Sequence, residues 1–182
     1  MTARSLYDLS CDDDILDLVE FARRHGFSMR FIEYMDVGNS NDWISEKIVS
    51  KKEIIEKINA RYPLRLAEKE QGSAPSVDYE FVDGQGEVGV IASVTEPFCS
   101  GCTRARLTAD GKLVTCLFSG LTHDLKTMLR NGSSDEQISE AISRIWTRRS
   151  DRYSDERLEA MMSPGGYQAK EHKKIEMITL GG

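Results

Sequence analysis

The chain has 182 residues, with 24 Lys and Arg against 30 Asp and Glu, and a formal net charge of −6. Hydrophobic residues at 40% and charged residues at 30% are typical of a globular chain, which excludes disorder of the whole chain. The sequence has no apolar run near the ~20 residues that span a bilayer, and its acidic balance argues against nucleic acid. The N-terminus lacks an apolar signal region, so we expect a reducing, cytoplasmic compartment (mitochondrial only in a eukaryote), where cysteines are ligands or thiols.

The first part of the chain predicts a helix followed by a strand. Apolar residues recur at helical spacing over residues 12–25, and Gly26 is a typical stop. Residues 28–35 are apolar on both faces, which indicates a strand covered on both sides, as in a parallel sheet or barrel. Within this run the pattern alone indicates that Met35 is a core residue. The order of elements is that of the αβ half of a βαβ unit.

Capping and turn signals predict the next elements. Ser50 and Glu53 form a capping box for a helix over residues 51–61. Residues 77–82 and 87–94 read as the two strands of a hairpin around the turn sequence DGQG. The middle of the chain is therefore expected to be one helix and one hairpin.

The following part predicts a second hairpin and two helices. Residues 104–109 and 112–118 flank an Asp-Gly turn, and helices are expected over residues 122–130 and 134–149. The adjacent arginines Arg148 and Arg149, near Trp146, indicate a solvated helix end. The remaining residues are polar, and no element is predicted there.

Three cysteines form the pattern C-x2-C-x13-C, with Cys99 and Cys102 before the second hairpin and Cys116 on its return strand. Reversal of the chain in the hairpin would bring the three sulfurs together. Three interpretations stay open. They are an iron–sulfur cluster with one iron left open, a zinc site completed by His123 or Cys11, and thiols that include a Cys99–Cys102 redox pair.

Positive charge is concentrated around these cysteines, because residues 99–130 carry a net charge of +3 on an otherwise acidic chain. Arg104 and Arg106 alternate along the strand predicted after Cys102, so both side chains would point to one face. Paired guanidinium groups match a phosphate or carboxylate ligand. Two exposed strand arginines would give the same pattern.

Three segments of the chain carry a specific resemblance: residues 96–118, EPFCSGCTRARLTADGKLVTCLF, residues 30–43, RFIEYMDVGNSNDW, and the final KIEMITLGG. In that order, they resemble the second-cluster segment, another signature segment and the Gly-Gly tail of the GTP 3′,8-cyclase family. Its members are the radical S-adenosylmethionine enzymes that open molybdenum cofactor biosynthesis. The similarity runs in the family's own order over residues 12–182.

The resemblance implies a reaction and a set of site residues. In the family, a C-terminal [4Fe–4S] cluster on three cysteines presents an open iron to the purine of GTP. A radical begun by a 5′-deoxyadenosyl species then joins C8 and C3′, which gives (8S)-3′,8-cyclo-7,8-dihydroguanosine 5′-triphosphate. The implied roles are cluster ligands at Cys99, Cys102 and Cys116, GTP contacts at Arg104, Ala105 and Arg106, an S-adenosylmethionine contact at Met35, and an active-site tail at Gly181 and Gly182.

The resemblance also implies an α/β fold: the C-terminal part of an incomplete (β/α) radical-SAM TIM-type barrel, then a hairpin-containing cluster-binding region and C-terminal helices. We expect residues 1–70 to be the barrel remnant and residues 71–182 the C-terminal molybdenum-cofactor-synthesis region. The family's C-x3-C-x2-C motif, which mounts the first [4Fe–4S] cluster, does not occur in this sequence, and Cys11 stands alone. The chain therefore resembles a C-terminal portion, with the first cluster and S-adenosylmethionine bound only in a full-length enzyme.

A partial barrel would expose a strand edge, so we expect association with an N-terminal complementing chain or with a second copy. GTP is the expected small-molecule partner, with neither nucleic acid nor membrane. The leading hypothesis is a cyclase homologue represented by its second-cluster and GTP-binding part. The alternative is a non-catalytic [4Fe–4S]- or zinc-binding module, and a third possibility is a fragment that does not fold.

Overall fold

The structure, a computed structural model, describes residues 14–39, 43–68, 74–172 and 174–180. It is mixed α/β and divides into two compact units, one of residues 1–35 with 43–101 and the other of residues 36–42 with 102–182. The helices of the described part are α1 (Asp14–His25), α2 (Lys51–Arg61), α3 (Lys126–Arg130), α4 (Asp135–Thr147) and α5 (Tyr153–Met162). The strands are β1 (Met29–Ile32), β2 (Leu64–Leu66), β3 (Val77–Phe81), β4 (Glu87–Ile91), β5 (Arg106–Leu107), β6 (Lys112–Val114) and β7 (His123–Asp124). Short 3₁₀ helices cover Ser45–Lys47, Ala169–Glu171 and Met177–Leu180.

The first unit is built on a four-stranded sheet in the order β1-β4-β3-β2. Strand β1 is parallel to β4, whereas the β4–β3 and β3–β2 pairs are antiparallel. Helices α1 and α2 supply apolar faces to the core, which removes those side chains from water. The buried core consists of Ile15, Val19, Phe31, Ile54, Ile58, Phe81, Val88 and Val90.

Most predictions for the first unit are confirmed. Helix α1 occupies the predicted range from residue 14 onward, and residues 12 and 13 lie outside the described residues. Helix α2 begins with the predicted capping box, in which the Ser50 hydroxyl and the Glu53 carboxylate accept from each other's backbone N–H. The first hairpin is also present, as β3 paired with β4.

Strand β1 is shorter than the predicted range 28–35, and the prediction that both of its faces are covered is wrong because Arg30 is exposed. Glu33, the residue directly after β1, is 2% exposed, and its carboxylate binds other segments of the unit. It accepts from the backbone N–H of Lys51, Val94 and Thr95, each at 2.8 Å, and from the Thr95 hydroxyl at 2.5 Å. These bonds join the start of α2 and the segment after β4 to the end of β1.

The sheet is mixed, with one parallel and two antiparallel pairs among the described strands. The (β/α) barrel stays a prediction, as does the division of the chain at residue 70. Within the described residues, no helix combines the length and the apolar character that crossing a membrane requires.

The second unit contains an antiparallel sheet in the order β5-β6-β7. The second predicted hairpin is present, but its strands are only two and three residues long. His123 and Asp124 form β7 opposite β6, so the helix predicted over residues 122–130 begins only at Lys126. Helix α4 has the predicted capping box of Ser134 and Gln137. Helix α5 was not predicted, because its sequence is rich in charged residues.

Gly111 is required at the turn of the second hairpin. Its φ of +81° lies in the left-handed region, and an added Cβ would lie 2.6 Å from the Cβ of Lys126. Its carbonyl also accepts from the N–H of Leu125 and of Lys126, which ties the turn to the start of α3. The turn, β7 and α3 therefore depend on the absence of a side chain at this position.

Gly111→Ala should destabilise the protein more than Gly132→Ala. Gly132 has a similar φ of +78° but has no atom within 4 Å of an added Cβ, so it isolates the conformational penalty of about 1–2 kcal/mol. At Gly111 the steric conflict with the Cβ of Lys126 adds to that penalty. Urea unfolding of both variants measures the difference, and equal losses of unfolding free energy would contradict the role assigned to Gly111.

Candidate functional site

The three cysteines of the C-x2-C-x13-C pattern are half-buried thiols. Cys99 belongs to the first unit, whereas Cys102 and Cys116 belong to the second. Cys116 was predicted on the return strand of the hairpin, and this is wrong: β6 ends at Val114, two residues earlier. The reason is that the ladder between β5 and β6 is short and stops at the pair Arg106–Val114.

The two arginines predicted on one strand face occupy different environments. Arg106 is the first residue of β5 and is half-buried, but Arg104 precedes the strand, so the prediction of two alternating strand residues is wrong. Arg104 turns its guanidinium onto the sulfur of Cys102, with Nε 3.3 Å and Nη2 3.1 Å from Sγ. Ala105 between them is exposed.

Arg149 is a second cation at Cys102, and sequence reasoning missed it. Its Nη1 donates to the backbone carbonyl of Cys102 at 2.8 Å, and its Nε lies 3.0 Å from the carboxylate of Asp151. Its side chain is 11% exposed, so the prediction of a solvated helix end is wrong for Arg149 and right for the exposed Arg148. The missed signal is the carboxylate two residues later, at Asp151, which partners the guanidinium.

The arginines decide the electrostatic state of Cys102. Burial acts to raise the pKa of the thiol, but hydrogen bonds from Arg149 and from Arg104 outweigh it and hold the pKa below its ordinary value. The thiolate is the form of cysteine that binds metals and clusters. Cys102 therefore has the electrostatic surroundings of a thiolate ligand.

The donor chemistry of the second unit fits a thiolate-bound metal or cluster, because Cys102 and Cys116 are accessible thiols and Cys102 is flanked by cations. Among the described residues, no three His, Cys, Asp or Glu side chains form a group that could hold a metal ion. His123, a proposed fourth zinc ligand, lies on β7 opposite Leu113. Cys11, the other proposed ligand, lies outside the described residues. The convergence of three sulfurs stays a prediction.

The remaining predicted site residues lie elsewhere. Met35 is half-buried and lies three residues beyond the end of β1, so it is not part of the strand in which it was predicted. Its contact with a cofactor stays a prediction. Gly181 and Gly182, the predicted active-site tail, lie outside the described residues.

A buried cluster of charged residues around Asp36 was also missed. Asp36 and the side chain of Arg157 are fully buried and form an ion pair, and Lys174 Nζ lies 2.9 Å from the same carboxylate. The hydroxyls of Tyr153 and Tyr167 donate to Asp36 at 2.8 Å and 2.5 Å. The cluster joins the segment after β1 to α5 and to the C-terminal residues, over sequence separations that no local pattern reveals.

The environment of Asp36 favours its charged form. Burial acts to raise the pKa of this carboxyl, but the Arg157 charge and hydrogen bonds from Tyr167, Lys174 and Tyr153 lower it to about 2. Burial and the neighbouring carboxylate raise the pKa of both tyrosines above their ordinary range. Asp36 therefore stays ionised and the tyrosines stay neutral at physiological pH.

Asn39 extends the contacts of this segment to the C-terminal region. Its amide nitrogen donates to the Lys174 carbonyl at 2.7 Å, and its amide oxygen accepts from the Lys174 N–H at 2.9 Å. The same nitrogen donates to the Glu176 carboxylate at 2.6 Å. Residues 174–176 are thus held against the segment that follows β1, before the tail begins.

Comparison with known proteins identifies the family. Residues 27–155, which include the three cysteines, Arg104 and Arg149, match the family model described as Molybdenum Cofactor Synthesis C. The chain belongs to this molybdenum cofactor synthesis family.

Individual relatives agree with that assignment. Proteins named GTP 3′,8-cyclase are 43% identical in Acidothermus cellulolyticus, 44% identical in Aquifex aeolicus and 40% identical in Staphylococcus saprophyticus. Each comparison covers 94% of this chain and, in the same order, 52%, 48% and 49% of the relative. The chain thus spans about half the length of the curated relatives it matches.

Loss of the Asp36 charge should flatten the acid dependence of stability. The folded pKa of about 2 is below the ordinary value of 3.8, so the stabilisation is complete above the ordinary value and is lost as pH falls towards 2. The shift corresponds to about 2 kcal/mol. Asp36→Asn should lose stability at pH 7, because Arg157 and Lys174 stay buried without their carboxylate, and should show a shallower loss as the pH falls from about 4 to 2.

Urea unfolding from pH 7 down to pH 2 measures both effects, with the surface variant Asp135→Asn as the control. If Asp36→Asn does not fold, Tyr167→Phe removes one donor and should shrink the acid-dependent part. An acid limb as steep as that of the wild type in both variants would show that Asp36 does not carry it.

Proposed function

We propose that this chain carries the second-cluster and GTP-binding part of a GTP 3′,8-cyclase in molybdenum cofactor biosynthesis. Cys99, Cys102 and Cys116 are the proposed ligands of a [4Fe–4S] cluster. The observation that carries the proposal is the setting of Cys102, whose sulfur accepts from Arg104 and whose carbonyl accepts from Arg149. When bound, such a cluster would supply an open iron site for the purine.

The arginines supply the complementary part of the proposed GTP site. Arg106 is half-buried on β5, next to the cysteine segment, where a guanidinium group can bind a phosphate through two N–H donors. Arg104 is proposed to contact GTP as well, and the exposed Ala105 leaves room between them. A polyanionic nucleotide is attracted to the locally positive stretch of residues 99–130 more than to the acidic remainder of the chain.

The complete cyclase reaction requires chemistry that residues 1–182 do not encode, because the C-x3-C-x2-C motif is absent from them. We propose that the part described here acts together with a segment carrying that motif, on the same polypeptide or on another one. Met35 would then contact S-adenosylmethionine, and Gly181 and Gly182 would reach the reacting groups. Strand β1, at the edge of its sheet, is the proposed place for an added strand or a second copy.

Anaerobic reconstitution with iron and sulfide tests the cluster directly. The wild-type chain should bind about four irons and a matching amount of sulfide, with broad visible absorbance. Cys116→Ser should lose most of this iron, because it removes one of three thiolate ligands. Cys11→Ser is the matched control and should bind iron as the wild type does.

Binding of one zinc ion without sulfide would instead favour the non-catalytic zinc module. Equal iron contents in Cys116→Ser and in Cys11→Ser would contradict the ligand set. An assay for 5′-deoxyadenosine separates a catalytic unit from a binding module that retains the cluster, since the module forms none.

Nucleotide affinity tests the role of Arg106. Arg106→Ala should weaken GTP binding to the reconstituted chain by about tenfold or more, because a charge-assisted hydrogen bond is lost. Isothermal titration calorimetry gives the dissociation constants. Arg130→Ala removes an exposed arginine at the end of α3 and should leave the affinity unchanged. A similar loss in both variants would indicate a general charge effect and not a site at Arg106.

A further inference from the structure

We propose that Arg149 is a positioning residue of the cysteine site, which fixes the Cys102 loop and supplies a permanent positive charge to its sulfur. The inference rests on the proposed function for its link to a cluster, but the geometry of the loop stands by itself. All residues that carry it belong to the second unit.

The first observation is that Arg149 binds Cys102 through the backbone. Its Nη1 donates to the Cys102 carbonyl at 2.8 Å, which places the guanidinium charge beside this residue. A backbone contact fixes the peptide on which the sulfur is carried, whereas Arg104 contacts the sulfur itself. Arg149 therefore controls where Cys102 lies, and not only the charge beside it.

The second observation is that the guanidinium of Arg149 is itself held on two sides. Asp151 accepts from its Nε at 3.0 Å, and the Thr115 hydroxyl donates to the same carboxylate oxygen at 2.6 Å. The guanidinium carbon lies 4.8 Å from the centroid of the Trp146 ring. Holding a long side chain in one geometry costs conformational entropy, which these contacts offset before any ligand binds.

The third observation is that this chain of contacts joins the two cysteine-bearing segments of the unit. Thr115 is the neighbour of Cys116, so the path Thr115–Asp151–Arg149 ends at Cys102. The arrangement sets one proposed ligand relative to the other through a charged side chain from the end of α4. A fixed cation next to thiolates also makes reduction of a bound cluster easier.

The experiment compares Arg149→Met with Arg148→Met, which removes the adjacent, exposed arginine. In the protein without iron, hydrogen exchange of the amides in a peptide covering residues 100–106 should be about tenfold faster in Arg149→Met, since a charge-assisted hydrogen bond is lost. After reconstitution, the reduction potential of Arg149→Met should be more negative than that of Arg148→Met. Arg149→Lys should restore much of the potential but little of the exchange protection.

Equal exchange rates in Arg149→Met and Arg148→Met would overturn the positioning role, and equal potentials would overturn the electrostatic role. If Arg149→Met does not fold, Asp151→Asn releases the guanidinium while keeping its charge, and should accelerate exchange in the same peptide. A wild-type chain that takes up neither iron nor sulfide would contradict both the proposed function and the electrostatic role of Arg149. The exchange experiment on that chain would still decide whether Arg149 holds the loop.

Discussion

Buried charge that must be matched inside the protein governs the second unit. Asp36 is fully buried, and a carboxylate in that position is tolerated only when cations and donors surround it. Arg157 and Lys174, which are distant from Asp36 in sequence, supply the cations. The hydroxyls of Tyr153 and Tyr167 supply the remaining donors. The packing of α5 and of the C-terminal residues follows from this requirement more than from apolar contacts, because Arg157 is the buried residue of α5.

Cations also surround an acidic group at the candidate site, but there the group is a cysteine thiol and not a carboxylate. Arg104 and Arg149 place positive charge at Cys102, where it favours a thiolate. In the Asp36 cluster the carboxylate is surrounded by two cations and two tyrosine hydroxyls of the same unit. At Cys102 the cations surround a thiol whose deprotonated form can bind a metal or a cluster, and this difference is the basis for proposing a ligand site there.

Local patterns predicted the elements well wherever a short-range signal decides the structure. The capping boxes at Ser50 and Ser134 and the Asp-Gly turn before β6 depend on residues within four positions of one another. The C-x2-C-x13-C pattern and the family resemblance led to the right family, because they depend on sequence alone.

Long-range partnerships could not be predicted in the same way. Arg149 was assigned to a solvated helix end because nothing within its helix reveals that Cys102, 47 residues earlier, accepts its hydrogen bond. The Asp36–Arg157 pair spans 121 residues, and single polar residues carry no periodicity that would mark them. The length of β1 was overestimated for a related reason: the run of residues 28–35 that predicts the strand continues past Ile32, where β1 ends, and the Glu33 carboxylate binds Lys51 and Thr95 from later segments.

The hydrogen bonds of Glu33 restrict which residue can occupy position 33 more tightly than its burial alone suggests. Its two carboxylate oxygens receive four donors, three of them main-chain N–H groups that every residue except proline carries. Gln would turn an N–H group towards those donors, Asp would be one methylene too short, and an apolar residue would leave three amides without an acceptor. Glu is the side chain that supplies acceptors to all four donors, so a substitution at position 33 would separate the start of α2 from the segment after β4.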